Sequence, residues 1–568
     1  MLELAPQASL LLQQARHGEG DRMIGIRDAA AVGLVPDTGM DVTSRFRTFI
    51  QDGLADGAHT FQFEQGLYDF ADEASVHDME TFMRGEGSWD LGENTQHKHI
   101  LIYGENKERI ILDFQGSTLR FHGLIQPFSF KGCKEVVIRN VRIVWVRPMF
   151  SQGEVVCVDA EGLEIQFEPG YPVHSGTPVA AMLDYIPGSA HPIQGTIDWF
   201  HFAEQTELVG PQRLRIRYKE SFRARLQERK TTPSLGMHVI IRHLMNYKAA
   251  FLFYQCERVV LEDITIHTTP GMGVIGHGCG DITMLRLRVM RRPGSDHVMT
   301  TNADATHFIG CRGAIDFDDC LFEGMGDDAT NVHGFYLSVR SCQDDRTVVC
   351  GVDADIQSEY LEIPEAGEVI ELTKRETLKP YATLSIDRVE VRPSGDMEIR
   401  FKEPLPEGFH EKDLLANVSR IASLRFRNSL VRNNRARAIL VQTRNVEISD
   451  NTFEHCTGTA IHVNCADGWK ESISTDNVRV TRNVFYGCGL GAGTYRQTSA
   501  LVVMTESEGA ETGVHRSFSF ADNHVYGNGA RGISIDAVSG AEVRGNRFSG
   551  VTEPIHVYTD RCEGLNIS

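Results

Sequence analysis

Asparagine recurs near the end of short strand-like runs, each time with an apolar residue two places on: Asn428/Leu430, Asn451/Phe453, Asn483/Phe485, Asn523/Val525 and Asn546/Phe548. The first two and the last two asparagines are 23 residues apart, with intervals of 32 and 40 between them. The runs alternate apolar and polar residues, as in EVVIRNVRIVWV (135–146), RVVLEDITIHTT (258–269), DITMLRLRVM (281–290), NVEISDNTFEHC (445–456), NVRVTRNVFYGC (477–488) and AEVRGNRFSGV (541–551). That is the period of a strand with one face buried. Repeats of 20 to 25 residues built from short strands make a solenoid. No helical period separates the strands, so the expected fold is all-β: a right-handed parallel β-helix whose rungs stack about 4.8 Å apart.

The remaining segments fit around that solenoid. DVTSRFRTFIQDGL (41–54) reads as an amphipathic helix capped by Asp41 or Thr43, with Phe46, Phe49, Ile50 and Leu54 on one side. Such a helix covers the open edge of the first rung. Two stretches, 151–246 and 335–416, lack the asparagines and carry alternating strands between Gly and Pro turns. They read as two inserted small antiparallel β-barrel or sandwich domains. The expected order is therefore a cap with first rungs (1–150), an insertion (151–246), central rungs (247–334), a second insertion (335–416) and C-terminal rungs (417–568).

Charge and composition exclude several partners. The formal net charge is -20, which argues against nucleic acid or an anionic membrane as a partner. No apolar run is long enough to span a bilayer. The first 21 residues carry Glu3 where a signal peptide is basic, and Pro6, Gln7, Gln13 and Gln14 interrupt the apolar stretch. The expected location is cytoplasmic, or secreted or periplasmic if a leader was trimmed. None of the twelve cysteines forms a CxxC pair, so no zinc site is expected. The cysteines read as free core thiols of a reducing compartment.

The chemistry concentrates in GDDATNVHG (326–334) and, upstream, in NADATHF with Asp304. Asp304 and Asp327 are 23 residues apart, one rung, which puts Asp304 beside the Asp327–Asp328 pair on one face. Neighbouring residues on a regular strand point to opposite faces, so the pair needs a bend, which Gly324 and Gly326 permit. Crowded carboxylates hold one proton above its usual pKa. A protonated acid beside ionised carboxylates is what glycoside hydrolysis uses. Other readings of the pair are a calcium site or turn-forming aspartates, and His333 also reads as a turn residue. Asp316, Asp318 and Asp319 read as a solvated turn at the asparagine position of their rung.

These words resemble glycoside hydrolase family 110, α-1,3-galactosidases that remove terminal α-linked galactose, including that of the blood group B antigen. The matching segments are RPMFSQGEVV (147–156), TPGMGV (269–274), ADATHF (303–308), GMGDDATNVHG (324–334), NNRARAILVQT (433–443) and GWKES (468–472). The carboxylate layout also resembles that of polygalacturonases. The family resemblance implies an inverting, exo-acting enzyme without a cofactor, with Asp304, Asp327 and Asp328 as the catalytic trio. Inversion calls for an acid and a base about 6.5 to 9.5 Å apart. The preferred assignment makes Asp304 the acid, with Asp327 and Asp328 activating water. Candidate sugar contacts are Trp145 and Trp469 as stacking platforms, and Arg147, Gln152 and Arg437 as hydroxyl binders. Asn331 and His333 would orient the aspartates, with His277 and His297 as further candidates. One departure from the family words is Val144, where an acidic residue is expected before the Trp; it bears on substrate rather than reaction class. The competing functions are another β-helix polysaccharide hydrolase, polygalacturonase-like, whose Arg-x-Lys motif is not evident after His333, and a non-catalytic carbohydrate-binding solenoid. An epimerase or lyase lacks its strong base beside Asp327. The bulky insertions suggest a homodimer.

Overall fold

The computed structural model describes residues 25–86, 99–186, 188–189, 199–229, 233–244, 249–353, 363–490, 499–507, 509–527 and 531–568. The N-terminal stretch read for a signal lies outside the described residues. No described helix is long and apolar enough to cross a membrane.

The chain winds a right-handed parallel β-helix. A full rung has three strands, for instance Thr306–Ile309, Ala314–Asp318 and Leu321–Glu323. Each pairs in parallel with its counterparts in the rungs before and after. The second and third strands meet at a tight bend whose first residue takes a positive φ, as at Asp319 (51°), Asn428 (53°), Asp450 (60°) and Asp522 (58°). Inward side chains build one continuous core of Phe, Ile, Val and Leu. Rings stack from rung to rung within it, Phe128 on Phe251 at 4.6 Å and Phe453 on Phe485 at 5.1 Å.

The residue after the bend faces inward and needs partners for its polar atoms. Asn451, Asn483, Asn523 and Asn546 supply them to one another. Each side-chain amide donates to the next oxygen, at 2.9, 3.0 and 3.2 Å along the stack. Asn428 is not in this ladder. Leu424 pairs with Val446 and Leu430 with Thr452, so that rung is one residue shorter than the asparagine spacing suggests. Ser429 takes the ladder place, its N–H donating to Asn451 Oδ1 at 2.9 Å, and Asn428 makes the bend.

Helix α1 (Thr43–Ala55) begins two residues later than the sequence suggests, with Val42 at its N-cap. The Asp41 carboxylate accepts the Thr43 N–H at 3.0 Å. Phe46, Phe49, Ile50 and Leu54 are buried, and Phe46 stacks on Phe63 at 5.0 Å.

The first insertion is a seven-stranded antiparallel sheet from Phe150–Val158 to His238–Arg242, around its own core. The second is a closed six-stranded antiparallel barrel around another. Its first strand, Thr330–Cys342, belongs to the solenoid up to His333 and runs on into the barrel without a break. Barrel and site therefore share one rigid strand.

All twelve cysteines are unpaired, nine of them buried. Cys133, Cys256, Cys279 and Cys311 each follow a rung strand by two residues, and their thiols donate to carbonyls of the neighbouring rung. Asp316 and Asp318 are on a strand rather than a turn. They pair with Arg425 and Arg427 of the next rung, and only Asp319 forms the bend.

Candidate active site

Four strands of one solenoid face carry the site: β1 (Val274–His277), β2 (Thr306–Ile309), β3 (Thr330–Cys342) and β4 (Arg437–Gln442). Their inward residues, Val274, Phe308, Val332 and Ile439, fill the core. The alternate residues point outward, and five of these eight are polar: His277, His307, Asn331, His333 and Gln442. All five are nonetheless buried. The strand Glu471–Ser472, which pairs antiparallel with Gly334 and Phe335, passes alongside and brings Glu471 to them.

The aspartates precede β2 and β3. Gly324 has φ +63°, and at Gly326 a Cβ would lie 2.4 Å from the Asn302 carbonyl oxygen. The first allows the bend and the second allows the close approach of two rungs. Thr306 pairs with Thr330, so this rung is one residue longer than the Asp304–Asp327 interval. Asp328, not Asp327, stands over Asp304, and its N–H donates to Asp304 Oδ1 at 3.1 Å. Asp327 is displaced sideways, and its side chain is 36% exposed against 7% for Asp304 and 1% for Asp328.

One carboxylate oxygen of each aspartate lies within 4.8 Å of the others. That is tighter than the separation expected for an inverting acid and base. Arg437, one rung beyond Asp328, reaches back over the group. Its Nε and Nη2 donate to the two Asp328 oxygens at 2.7 Å each, its backbone N–H to Oδ1 at 3.1 Å, and Nη2 also to Asp327 at 3.3 Å. Arg437 is thus a partner of the aspartates. Parallel N–H bonds of this kind call for an anionic acceptor.

Burial is the largest influence on both inner carboxyls. It pushes Asp304 well above the usual carboxylate range, with the Asp327 charge adding to it. It pushes Asp328 up as well, with Arg437 pulling hardest against it. Asp328 accepts three N–H bonds, whereas Asp304 Oδ2 faces a ring nitrogen, His307 Nδ1, at 2.7 Å. Asp304 is the member built to keep a proton.

A second group adjoins the trio. His307 Nε2 meets His333 Nε2 at 2.8 Å, and His333 Nδ1 donates to the Gly334 carbonyl at 2.7 Å. Glu471 Oε1 is 3.8 Å from His333 Nε2, and Glu471 accepts from the Asn331 amide at 3.3 Å and from the Gln442 amide. Burial works against the Glu471 charge, but His333, His307 and Gln442 outweigh it and lower its pKa. Burial pushes His333 down to about 4 and lowers His307. His307, His333 and Glu471 bring ligand atoms within 4.8 Å of one another, but the two Nε2 atoms bond each other, and Arg437 already supplies positive charge to the aspartates. Both groups are satisfied by hydrogen bonds.

Both insertions wall the trio. Arg242 donates to the Gly326 carbonyl at 3.3 Å, and Asp184 pairs with Arg435 at 2.6 Å, both from the first insertion. On the other side stand the barrel strand and the Ala466–Ser472 turn, where Trp469 is 56% exposed.

Other proposed contacts are not at this site. Trp145 is a core residue, 2% exposed, stacked on Phe121 at 4.7 Å, with Nε1 donating to the Gly123 carbonyl. Arg147 is spent on the Phe150 carbonyl (2.6 Å) and Ser151 (2.8 Å) at the root of the first insertion. Gln152 ties that insertion to Glu168 and the Asp296 carbonyl. His297 packs there against Phe150 and Tyr171. His277 does lie beside the site, 6.1 Å from the Phe335 ring. Sequence reasoning passed over His307, Gln442 and Glu471. The available signal was polar residues at alternate positions of otherwise apolar strands, THFI, TNVHG and RAILVQ.

Sequence comparison places the molecule among known proteins. The right handed beta helix region matches residues 415–567 and the GLAA-B beta-barrel domain II matches 357–415. An alpha-1,3-galactosidase B of Bacteroides fragilis is 30% identical over 416 residues, 68% of this chain and 68% of the relative. The chain belongs to glycoside hydrolase family 110, the α-1,3-galactosidase family. Two further family members carry the same name: one from Parabacteroides distasonis, 31% identical over 68% of this chain, and one from Akkermansia muciniphila, 27% identical over 82%. The chain spans 66% and 59% of their respective lengths.

Proposed function

We propose that the protein is an exo-acting, inverting glycoside hydrolase that releases terminal α-1,3-linked galactose from glycans. The observation that carries this reading is the arrangement of the trio: one carboxylate, Asp327, turned toward solvent, in front of two buried ones, Asp304 and Asp328, with Arg437 holding Asp328 from behind. Family membership supplies the sugar and the linkage. The insertions support exo action, because both wall the trio and narrow what would otherwise be an open groove.

The preferred acid shifts from Asp304 to Asp327. The Asp304 side chain is 7% exposed against 36% for Asp327, and an acid has to reach the leaving oxygen. Asp327 is the member exposed to do so. The cluster carries three carboxyls and one guanidinium, and it keeps a proton. In this reading the proton passes from Asp304 through Asp327 to the glycosidic oxygen. Asp304 and Asp328 then act as a pair on one water: as its oxygen attacks the anomeric carbon, its proton goes to Asp304. The cycle closes with the cluster as it began. Pairing two carboxylates on one water accounts for the closeness of Asp304 and Asp328, and the proton relay from Asp304 accounts for that of Asp327.

Trp469 is a platform for the sugar beyond the cleaved bond. No nucleic acid, membrane or cofactor enters this reading. The test is galactose release from Galα1,3Gal and from the branched blood group B trisaccharide. Release from at least one of them supports the proposal. Folded protein that releases galactose from neither leaves only the scaffold in common with the family.

A further inference from the structure

The hydrogen bonds behind Asp304 form a chain with a fixed direction. It ends at the Gly334 carbonyl, which can only accept. His333 Nδ1, 2.7 Å away, therefore carries a hydrogen. In a neutral imidazole the other nitrogen is then a bare acceptor. That nitrogen, His333 Nε2, is 2.8 Å from His307 Nε2, so His307 is the donor there and its Nδ1 is bare. Asp304 Oδ2 lies 2.7 Å from that bare nitrogen. Two acceptors facing each other make no bond, so Asp304 has to be the donor.

We propose that His307 and His333 are positioning residues: a chain of fixed tautomers, anchored on the Gly334 carbonyl, that keeps the proton of the carboxylate cluster on Asp304 Oδ2. This rests on the hydrolase reading for its consequence. The stored proton is the one that leaves through Asp327, and Asp304 is where the attacking water returns it. Ring position follows from register, because β2 and β3 pair side by side and place His307 and His333 on one outward face.

The charges around the chain set its alternative. Asp327, Asp328, Arg437 and Glu471 face Asp304; Glu471, Asp327 and Arg437 face His307, and Glu471 and His277 face His333. Arg420 also acts on His277. With the same number of protons, His307 as an imidazolium and Asp304 as a carboxylate would satisfy the same contacts, and Glu471 favours that state. Burial of both rings opposes it.

Nitrogen NMR of the protein labelled with [15N]histidine separates the two. The ring signals are assigned by their loss in His307→Asn and His333→Gln. At pH 7 the chain requires a neutral His333 with hydrogen on Nδ1 and a neutral His307 with hydrogen on Nε2. An imidazolium at His307, or hydrogen on its Nδ1 alone, overturns the proposal. The kinetic counterpart is the pH profile of kcat/KM. His307→Phe removes the acceptor for the Asp304 proton, so the alkaline limb moves down by about one pH unit. In His307→Asn the amide oxygen sits near the place of Nδ1 and keeps the limb near wild type. A lower rate at every pH with no shift of the limb, in both variants, also overturns the proposal. Wild-type protein that releases no galactose from either test glycan removes the hydrolase reading alone; the nitrogen spectra then decide the chain.

Discussion

Asp328 stands one rung from Asp304 and donates its backbone N–H to the Asp304 carboxyl at 3.1 Å. The 24-residue step between them, set by the Thr306–Thr330 pairing, makes two residues distant in sequence hydrogen-bonded neighbours. Asp304→Asn, Asp327→Asn and Asp328→Asn each lower kcat by about 10³-fold or more, near the upper range for acid–base groups. Because the groups act together, pairs of these substitutions lose little more than singles. Steady-state rates of folded variants on one α-1,3-galactoside check this; losses that multiply would show independent roles.

Arg437 supplies the positive charge for Asp328, whose side chain is 1% exposed. Arg437→Met leaves that carboxylate buried and uncompensated, and costs about 3–5 kcal/mol of stability. Arg437→Lys does not restore the paired bonds and remains inactive. Denaturant unfolding together with activity assays reads both effects.

The tryptophans separate by role. Trp145→Ala empties a core position and destabilises the protein by about 3–5 kcal/mol, with KM of the remaining folded enzyme unchanged. Trp469→Ala removes an exposed ring, leaves the unfolding midpoint in place and raises KM several-fold for an oligosaccharide. The reverse pattern would put the platform elsewhere.

Burial pushes His243, His277 and His462 down to about 3, and His333 and His515 down to about 4. In the unfolded chain these rings take a proton near 6.5. Between that value and about 4 the unfolded state binds more protons, so stability falls as pH falls. Each ring contributes up to about 1.4 kcal/mol per pH unit. Asp304 runs the other way: its raised folded pKa gives stability that is lost as pH rises. Asp328, Glu506 and Asp536 are raised as well, while burial also lowers His267, His297 and His307, so lowered rings outnumber raised carboxyls eight to four. Urea unfolding at pH 7.5, 6 and 5 should show a steady decline; a flat response would mean that the rings are hydrated or charged in the fold.

The solenoid is legible in the sequence because one physical rule repeats: apolar alternation, a bend, and an inward asparagine that satisfies the next. Register is less legible. Asn428 and Asp327 both suggest a 23-residue rung, and both are one residue off, because pairing is fixed by inward residues such as Leu424 and Val446 rather than by the polar residue at the bend. The trio is readable from glycine-flanked carboxylates. Its partners are harder to read. Glu471 comes from a turn beyond a whole barrel, and His307 looks like an ordinary strand residue until another element covers its face. Trp145 shows the converse: an aromatic beside family-like words that belongs to the core.

The most direct test of the whole account is proton NMR of the first galactose released from Galα1,3Gal by the wild-type protein, recorded before mutarotation. An inverting enzyme releases β-galactose first, with the α-anomer growing in later. α-Galactose first would contradict the account and turn one of the closely spaced carboxylates into a nucleophile.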